Sequence, residues 1–255
     1  MGVFFMKIVS IKNIKIGEGL PKIIIPLVGK NIEQLVEEIS LVKKANPDIV
    51  EWRADMLEKI EDIEEMKKAL SYINKELSSI PLLFTFRTHR EGGNKIIEDT
   101  YYEELLLEAM KGGLVDLIDV ELFSSCVSKI VKAAQHHEIP VVMSNHDFEG
   151  TPSKEIIIER LVNMQTLGAS IPKIAVMPKS PMDVLELLEA TYIMSTQHAD
   201  CPIITMSMSN TGVISRLAGK VFGSAATFGS GVHASAPGQI PAQELRSILS
   251  SVHNH

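Results

Sequence analysis

Short apolar runs alternate with longer amphipathic stretches from about residue 22 to the end of the chain. The runs are dense in Ile, Val, Leu and Phe and mark buried strands. The stretches between them repeat their apolar residues at helical spacing. Strands are predicted at 22–28, 48–53, 81–87, 114–121, 139–144, 171–177, 202–208 and 223–228. Helices are predicted at 31–45, 61–78, 98–112, 124–137, 153–167, 182–197, 212–220 and 241–252, with Asn31 a plausible N-cap. Strands alternating with helices argue for a parallel sheet. Eight such units in this length argue for an α/β fold of the closed (β/α)8 TIM-barrel kind rather than an open doubly wound sheet. Residues 6–20 alternate around Ile8, Val9, Ile11, Ile14 and Ile16, and are read as a β-hairpin covering the N-terminal mouth, the bottom of the barrel. No Pro-, Ser- or Gly-rich linker divides the chain, so 1–255 is expected to be a single barrel domain.

Composition changes this picture little. The 255 residues are 45% hydrophobic and 22% charged, enough for a sizeable core. A formal charge of −7 offers no basic field for nucleic acid or an anionic membrane, while a few local arginines still suit a small anionic substrate. Cys126 and Cys201 lie far apart without metal spacing and are expected to be reduced thiols of a cytoplasmic protein. The start, from Met1 to Lys7, lacks the pattern of a signal peptide, and Met6 is an alternative first residue. No apolar run approaches the ~20 residues of a membrane span.

Barrel enzymes place their chemistry at the C-terminal ends of strands. Those ends are rich in polar residues here: Glu51, Arg53 and Asp55; Arg87, Arg90 and Glu91; Asp119 and Glu121; His146 and Asp147; Ser207 and Ser209; and beyond them Arg216, Ser235 and Gln239. Each has a plain structural alternative. Glu51 with Arg53 could be an ion pair, Asp147 a turn cap, and Arg216 with Lys220 a solvated helix face. Lys173 sits inside the apolar run Pro172-Lys173-Ile174-Ala175-Val176-Met177. An amine held among apolar groups loses hydration, its pKa falls, and it becomes available to form a Schiff base with a ketone. His146 would supply a proton shuttle on a neighbouring strand. The residues alone leave open the alternative that Lys173 snorkels from a strand end and His146 caps a loop.

Other site types are weakly represented. There is no Walker loop and no dinucleotide-binding glycine fingerprint. Gly229-Ser230-Gly231 is a loose candidate phosphate cradle, and 229–236 a candidate lid. A metal on His146, Asp147, Glu51 and Glu121 is conceivable in principle but not expected. His136-His137 closes a helix, where imidazolium suits the dipole. The tail His253-Asn254-His255 is expected to be disordered.

Six segments, in order, carry a resemblance. They are Glu51-Trp52-Arg53-Ala54-Asp55; Phe84-Thr85-Phe86-Arg87 with Glu91-Gly92-Gly93; Ser144-Asn145-His146-Asp147-Phe148; Pro172 to Met177; Met206-Ser207-Met208-Ser209 through Gly212 to Ser215-Arg216; and Ser235-Ala236-Pro237-Gly238-Gln239. From about residue 7 to 250 the chain resembles type I 3-dehydroquinate dehydratases. The resemblance implies a (β/α)8 barrel, a homodimer, no metal and no dissociable cofactor. It also implies the third step of the shikimate pathway, toward chorismate and the aromatic amino acids. By that resemblance Lys173 would be the Schiff-base lysine, His146 the general acid/base and Glu91 its orienter. Arg216, Ser235 and Gln239 would hold the substrate carboxylate and neighbouring polar groups. Glu51, Arg53 and Arg87 would engage its hydroxyls, and Met206, Met208 and Phe228 would form apolar walls. Pro26 stands where some members carry a first-strand serine, so one hydroxyl contact to substrate is absent.

The resemblance implies loss of water from 3-dehydroquinate, a β-hydroxy ketone, to give 3-dehydroshikimate. A histidine near neutrality suits both proton transfers, and Glu91 would select its tautomer and favour the imidazolium. Two rival readings are a class I aldolase, which shares the barrel and buried lysine, and a catalytically silent barrel that binds a small acid.

Overall fold

The computed structural model describes residues 7–231 and 239–253. Strands β1 (Val9–Ile11) and β2 (Ile14–Ile16) form an antiparallel hairpin. A parallel sheet follows: β3 (Lys22–Leu27), β4 (Ile49–Arg53), β5 (Leu82–Thr85), β6 (Leu117–Glu121), β7 (Val141–Asp147), β8 (Ile171–Val176) and β9 (Ile204–Ser207), each beside the next, with β10 (Ala226–Ser230) on the far side of β3. A two-residue strand, β11 (Ile240–Pro241), pairs with β10.

The curled sheet closes between β9 and β10, where the ladder is thin. Ile203 bridges Ser224, the Ala225 N–H donates to Ile203 O at 2.8 Å, and Ser224 Oγ accepts from the Thr205 N–H at 3.1 Å. A side-chain oxygen thus stands in for a strand carbonyl at the seam. The fold is the TIM barrel expected, with its N-terminal hairpin.

The helices are α1 (Ile32–Ala45), α2 (Ile63–Glu76), α3 (Asp99–Met110), α4 (Val127–His136), α5 (Lys154–Thr166), α6 (Pro181–Ile193), α7 (Val213–Leu217), α8 (Gly219–Phe222) and α9 (Ala242–His253). Their starts follow local chemistry. Asn31 Oδ1 accepts from the Gln34 N–H at 2.9 Å, and Asp62 caps α2 in the same way. At α6, Pro181 occupies the first turn and Asp183 reaches back to the Ser180 N–H at 3.0 Å, completing a capping box.

Strand alternation separates two cores. One set of positions, with Val50, Trp52, Phe84, Ile118, Val120, Ile174 and Val176, packs against the helices. Trp52 and Phe84 meet there edge to face, ring centres 5.4 Å apart. The alternate set packs inside the barrel: Ile24, Ile49, Leu83, Leu117, Val142, Ile171, Ile204 and Ala226, with Ile11 and Ile16 of the hairpin. Two residues further along each strand the same inward face changes character, to Glu51, Thr85, Asp119, Ser144, Lys173, Met206 and Phe228. The barrel is therefore apolar and plugged at the bottom, and polar toward the C-terminal mouth.

Several boundaries differ from the sequence reading. The fifth strand runs to Asp147 instead of ending at 144, because His146 and Asp147 pair with Ala175 and Val176 of β8. The predicted helix 212–220 is two short helices, broken at Ala218. A π-helical turn, Met194–His198, follows α6. Gly229 and Ser230 belong to β10 and pair with β11, so they form no phosphate loop. A Cβ on Gly229 would lie 3.1 Å from Ala242 Cα, so its small size serves packing of α9. A lid therefore does not begin at 229, and 232–236 lie outside the described residues. His253 ends α9, which corrects the expected disordered tail at that residue. Asn254, His255 and both candidate first residues also lie outside the described residues. Cys126 and Cys201 are buried and free. Among the described residues no helix is long and apolar enough to cross a membrane.

Candidate active site

A cavity of about 210 Å³ opens at the C-terminal mouth. Every site residue expected from the sequence lines it except Ser235, which lies outside the described residues: Glu51, Arg53, Arg87, Glu91, His146, Lys173, Met206, Met208, Arg216, Phe228 and Gln239. Gly92, Phe148 and Ala175 complete the lining.

Lys173 projects from β8 and is 3% exposed. Its surroundings differ from the apolar setting expected. Nζ lies 3.7 Å from Glu51 Oε1 and 3.7 Å from Asp119 Oδ2, and 4.7 Å from the centre of the Phe228 ring. Two carboxylates and an aromatic face thus cradle the amine, supplied by β4, β6 and β10, which alternate with β8 around the barrel.

Beside it Arg87 is the hub of a buried polar cluster. Nη2 donates to Asp119 Oδ1 at 2.9 Å; Nη1 donates to Ser144 Oγ at 2.9 Å, Glu121 Oε1 at 3.0 Å and Glu91 Oε2 at 3.4 Å. Burial opposes its charge, but Asp119, Glu121 and Glu91 overcome that and hold the guanidinium well above its ordinary range. The expectation that Arg87 faces a substrate hydroxyl is thus joined by a structural duty: most of its donors are directed at protein. Arg53 is similar, gripping Asp55 through two bonds of 2.7 and 2.8 Å.

Glu91 reaches the site from a 3-10 turn, His89–Glu91. The turn is pinned by Glu121, which accepts from the Thr88 N–H at 2.8 Å and the Thr88 hydroxyl at 2.6 Å. Glu91 Oε2 accepts from the His146 backbone N–H at 3.0 Å and lies 2.9 Å from His146 Nδ1; Oε1 accepts from Asn145 Nδ2 at 3.1 Å. Burial pushes the Glu91 carboxyl up to about 7, with Arg87 pulling against it and Glu121 adding to the rise. Burial also holds His146 well below the usual histidine range, and Arg87, Lys173 and Arg53 push the same way. The imidazolium is therefore disfavoured, contrary to the expectation that Glu91 would promote it. The neutral ring is the resting form, ready to accept a proton.

Arg216 is 1% exposed, which excludes the solvated-face reading. Nη1 donates to Phe228 O at 3.4 Å. Burial lowers its pKa to about 10, so it stays charged at neutral pH on a desolvated wall of the cavity. Asp147 accepts from the N–H groups of Glu149 and Gly150, as a turn cap does. Pro26 sits in β3 opposite Glu51. Among the described residues no group of three or more His, Cys, Asp or Glu is arranged to hold a metal.

Sequence reading undervalued Asp119 and Glu121, noting them as polar strand ends and Glu121 also as a conceivable metal ligand. It assigned no role to Thr88, nor to Ser144, Asn145 and Phe148, which it quoted only within a segment. The inward parity of Asp119 and Ser144, two residues beyond Leu117 and Val142, was the available signal.

The family model for type I 3-dehydroquinase matches residues 23–255. A 3-dehydroquinate dehydratase of Bacillus velezensis is 57% identical over 252 residues, covering 98% of this chain and 100% of that protein. A crystal structure of the type I 3-dehydroquinate dehydratase of Clostridium difficile, with covalently modified comenic acid, is 52% identical and superposes with a TM-score of 0.94 over 98% of each chain. The 3-dehydroquinate dehydratase structure from Geobacillus kaustophilus, at 38% identity, gives a TM-score of 0.95 over 98% of this chain and 97% of that one. With the lysine, histidine and arginines of the six sequence segments gathered round one cavity, this chain belongs to the type I 3-dehydroquinase family.

Proposed function

We propose that the chain dehydrates 3-dehydroquinate to 3-dehydroshikimate through a Schiff base on Lys173, the third step of the shikimate pathway. The observation that carries this is the meeting of Lys173, the Glu91–His146 pair and Arg216 on one buried cavity.

The lysine amine adds to the ketone and the carbinolamine loses water, leaving an iminium that accepts electrons from the adjoining carbon. Neutral His146 removes the proton between the iminium and the carbon bearing the leaving hydroxyl. The resulting enamine expels that hydroxyl as His146 returns its proton, so one molecule of water leaves from one face in a syn elimination. Water then hydrolyses the conjugated iminium, releasing the enone and restoring the lysine. Arg216, with Gln239 and Ser235, anchors the substrate carboxylate, because a guanidinium fork matches two oxygens. Anchoring the ring presents its C–H to the imidazole. Glu51 and Arg53 engage hydroxyls, and Met206, Met208 and Phe228 give apolar walls.

No cofactor or metal takes part in this scheme. The working form is a homodimer in the cytoplasm, which light scattering and cell fractionation test directly. The chemistry is tested by borohydride reduction with 3-dehydroquinate, followed by intact mass and peptide mapping. A substrate-dependent adduct on Lys173, with enone absorbance appearing in the unreduced reaction, is the expected result. Turnover without an adduct removes the Schiff base. An adduct without enone points to aldolase chemistry, and neither signal to a silent binding barrel.

A further inference from the structure

Asn145 has the parity opposite to the inward-facing Ser144 and His146, yet it is buried and doubly engaged. Its Nδ2 donates to Glu91 Oε1 at 3.1 Å, and its Oδ1 accepts from Arg160 Nη1 on α5 at 2.9 Å. These partners dictate which way the amide faces. An arginine can only donate, so the oxygen must turn to Arg160; a carboxylate accepts, so the NH₂ must turn to Glu91. Reversing the amide would set donor against donor and oxygen against oxygen.

Arg160 is itself fixed from two further sides. Nη1 also donates to Asp147 Oδ2 at 3.2 Å, and the guanidinium lies 5.7 Å over the ring of Phe123. Phe123 is 65% exposed, and stacking beneath a cation accounts for an aromatic ring at the surface. A chain of contacts therefore runs from the outer face of the barrel to the imidazole: Phe123, Arg160, Asn145, Glu91, His146.

We propose that Arg160 and Asn145 form a positioning relay that holds Glu91 in register with His146 and thereby governs proton transfer at that imidazole. This rests on the reading of His146 as the proton-transfer residue given above. Glu91 has other charged neighbours, namely Arg87 from the segment after β5, Asp119 and Glu121 from β6, and His146 from β7. Arg87 already bonds Oε2, the oxygen beside the imidazole, whereas Oε1 is held by Asn145. Without that bond the carboxylate is held through Oε2 alone, and its terminal torsion, broad for glutamate, is less tightly fixed. It also loses a donor that favours its ionised form.

The test is the pH dependence of turnover in Asn145→Leu, which matches volume but cannot hydrogen-bond. The expected result is a fall in kcat of about tenfold or more, within what a positioned acid/base contributes. The acid limb moves to higher pH, while borohydride still traps substrate on Lys173. Arg160→Met should move the limb the same way by less, and Arg160→Lys should restore it. A merely structural lesion lowers the height of the profile without moving its limb.

His146→Ala is the control. If it is inactive while Asn145→Leu keeps wild-type kcat and limb, the relay is overturned and the assignment of His146 stands. If His146→Ala turns over normally, the assignment falls and the relay with it. Should Asn145→Leu fail to fold, the two Arg160 variants decide, and identical limbs in both overturn the relay.

Discussion

Glu91 Oε2 lies 2.9 Å from His146 Nδ1, although the two residues are 55 apart in sequence. That contact joins their proton sites. When the pair is fully deprotonated, Nδ1–H donates to the carboxylate and Nε2 carries a free lone pair. A proton added to the pair blocks that lone pair however it is assigned. On the ring it occupies Nε2; on Glu91 it donates to Nδ1 and drives the ring hydrogen to Nε2.

Activity in wild type should therefore fall with decreasing pH through about 7, the value to which burial raises Glu91. Glu91→Gln leaves His146 alone, held well below the ordinary histidine range by burial and by Arg87, Lys173 and Arg53. Its acid limb should move to lower pH, with a lower plateau because the ring is less well oriented. A pH profile of kcat/KM for both proteins checks this, and a limb that stays put in Glu91→Gln contradicts the pairing.

The same carboxyl makes a stability prediction. Its folded-state pKa, about 7, is raised from its ordinary value of 4.5. Between those values the native state holds a proton that the unfolded state has released. This contribution is thus full below pH 4.5 and is lost as pH rises to about 7. Across that window Glu91→Gln should gain stability relative to wild type by at most on the order of 3 kcal/mol. Urea melts at pH 4.5, 6 and 7.5 give the sign directly. A gap independent of pH would mean that the carboxyl ionises normally in the folded protein.

Lys173 and His146 should separate cleanly. Lys173→Ala removes covalent trapping along with turnover. His146→Ala still traps substrate but stalls elimination, with kcat lower by about 10²–10⁴-fold. Mass spectrometry of reduced mixtures beside steady-state rates distinguishes the two.

Gly92 and Gly93 follow Glu91 and carry unequal demands. Gly92 has φ +80, and a Cβ there would lie 2.4 Å from the Phe148 ring. Gly92→Ala should cost roughly 1–2 kcal/mol for the left-handed backbone and displace Phe148 at the cavity wall. A Cβ on Gly93 would lie 1.8 Å from Arg87 O, where only backbone movement relieves the clash. Gly93→Ala should therefore shift the turn bearing Glu91 and cut kcat by about 10²-fold or more, the larger effect of the two. Thermal melts and kcat measured together test the order.

Much of this architecture was legible beforehand because strand and helix periods are local properties of a chain. Eight alternating units, the plugging hairpin and the inward sequence Ile171, Lys173, Ala175 on one strand follow from side-chain alternation alone. The capped start of α1 was legible too, because Asn31 adjoins its helix in sequence. The gathering of Lys173, His146 and Arg216 at one mouth follows once parallel strands are inferred, since all such strands end on the same side.

What the chain order could not decide was which groups touch. That Lys173 rests between Glu51 and Asp119, with no wholly apolar pocket around it, depends on the stagger of strands around a closed barrel. The extension of β7 through Asp147 exists because β8 supplies partners for it, and no local propensity announces that. Asn145 meets Glu91 and Arg160 only because a turn after β5 and a helix after β7 pack against the same strand. The ionisation of His146 was misjudged from sequence for the same reason. Glu91 alone argues for an imidazolium, whereas burial among Arg87, Lys173 and Arg53 argues more strongly against it. Local periodicity determined where the charges stand along each strand; only tertiary packing decided their distances and hydration, on which Coulomb energies and proton affinities depend.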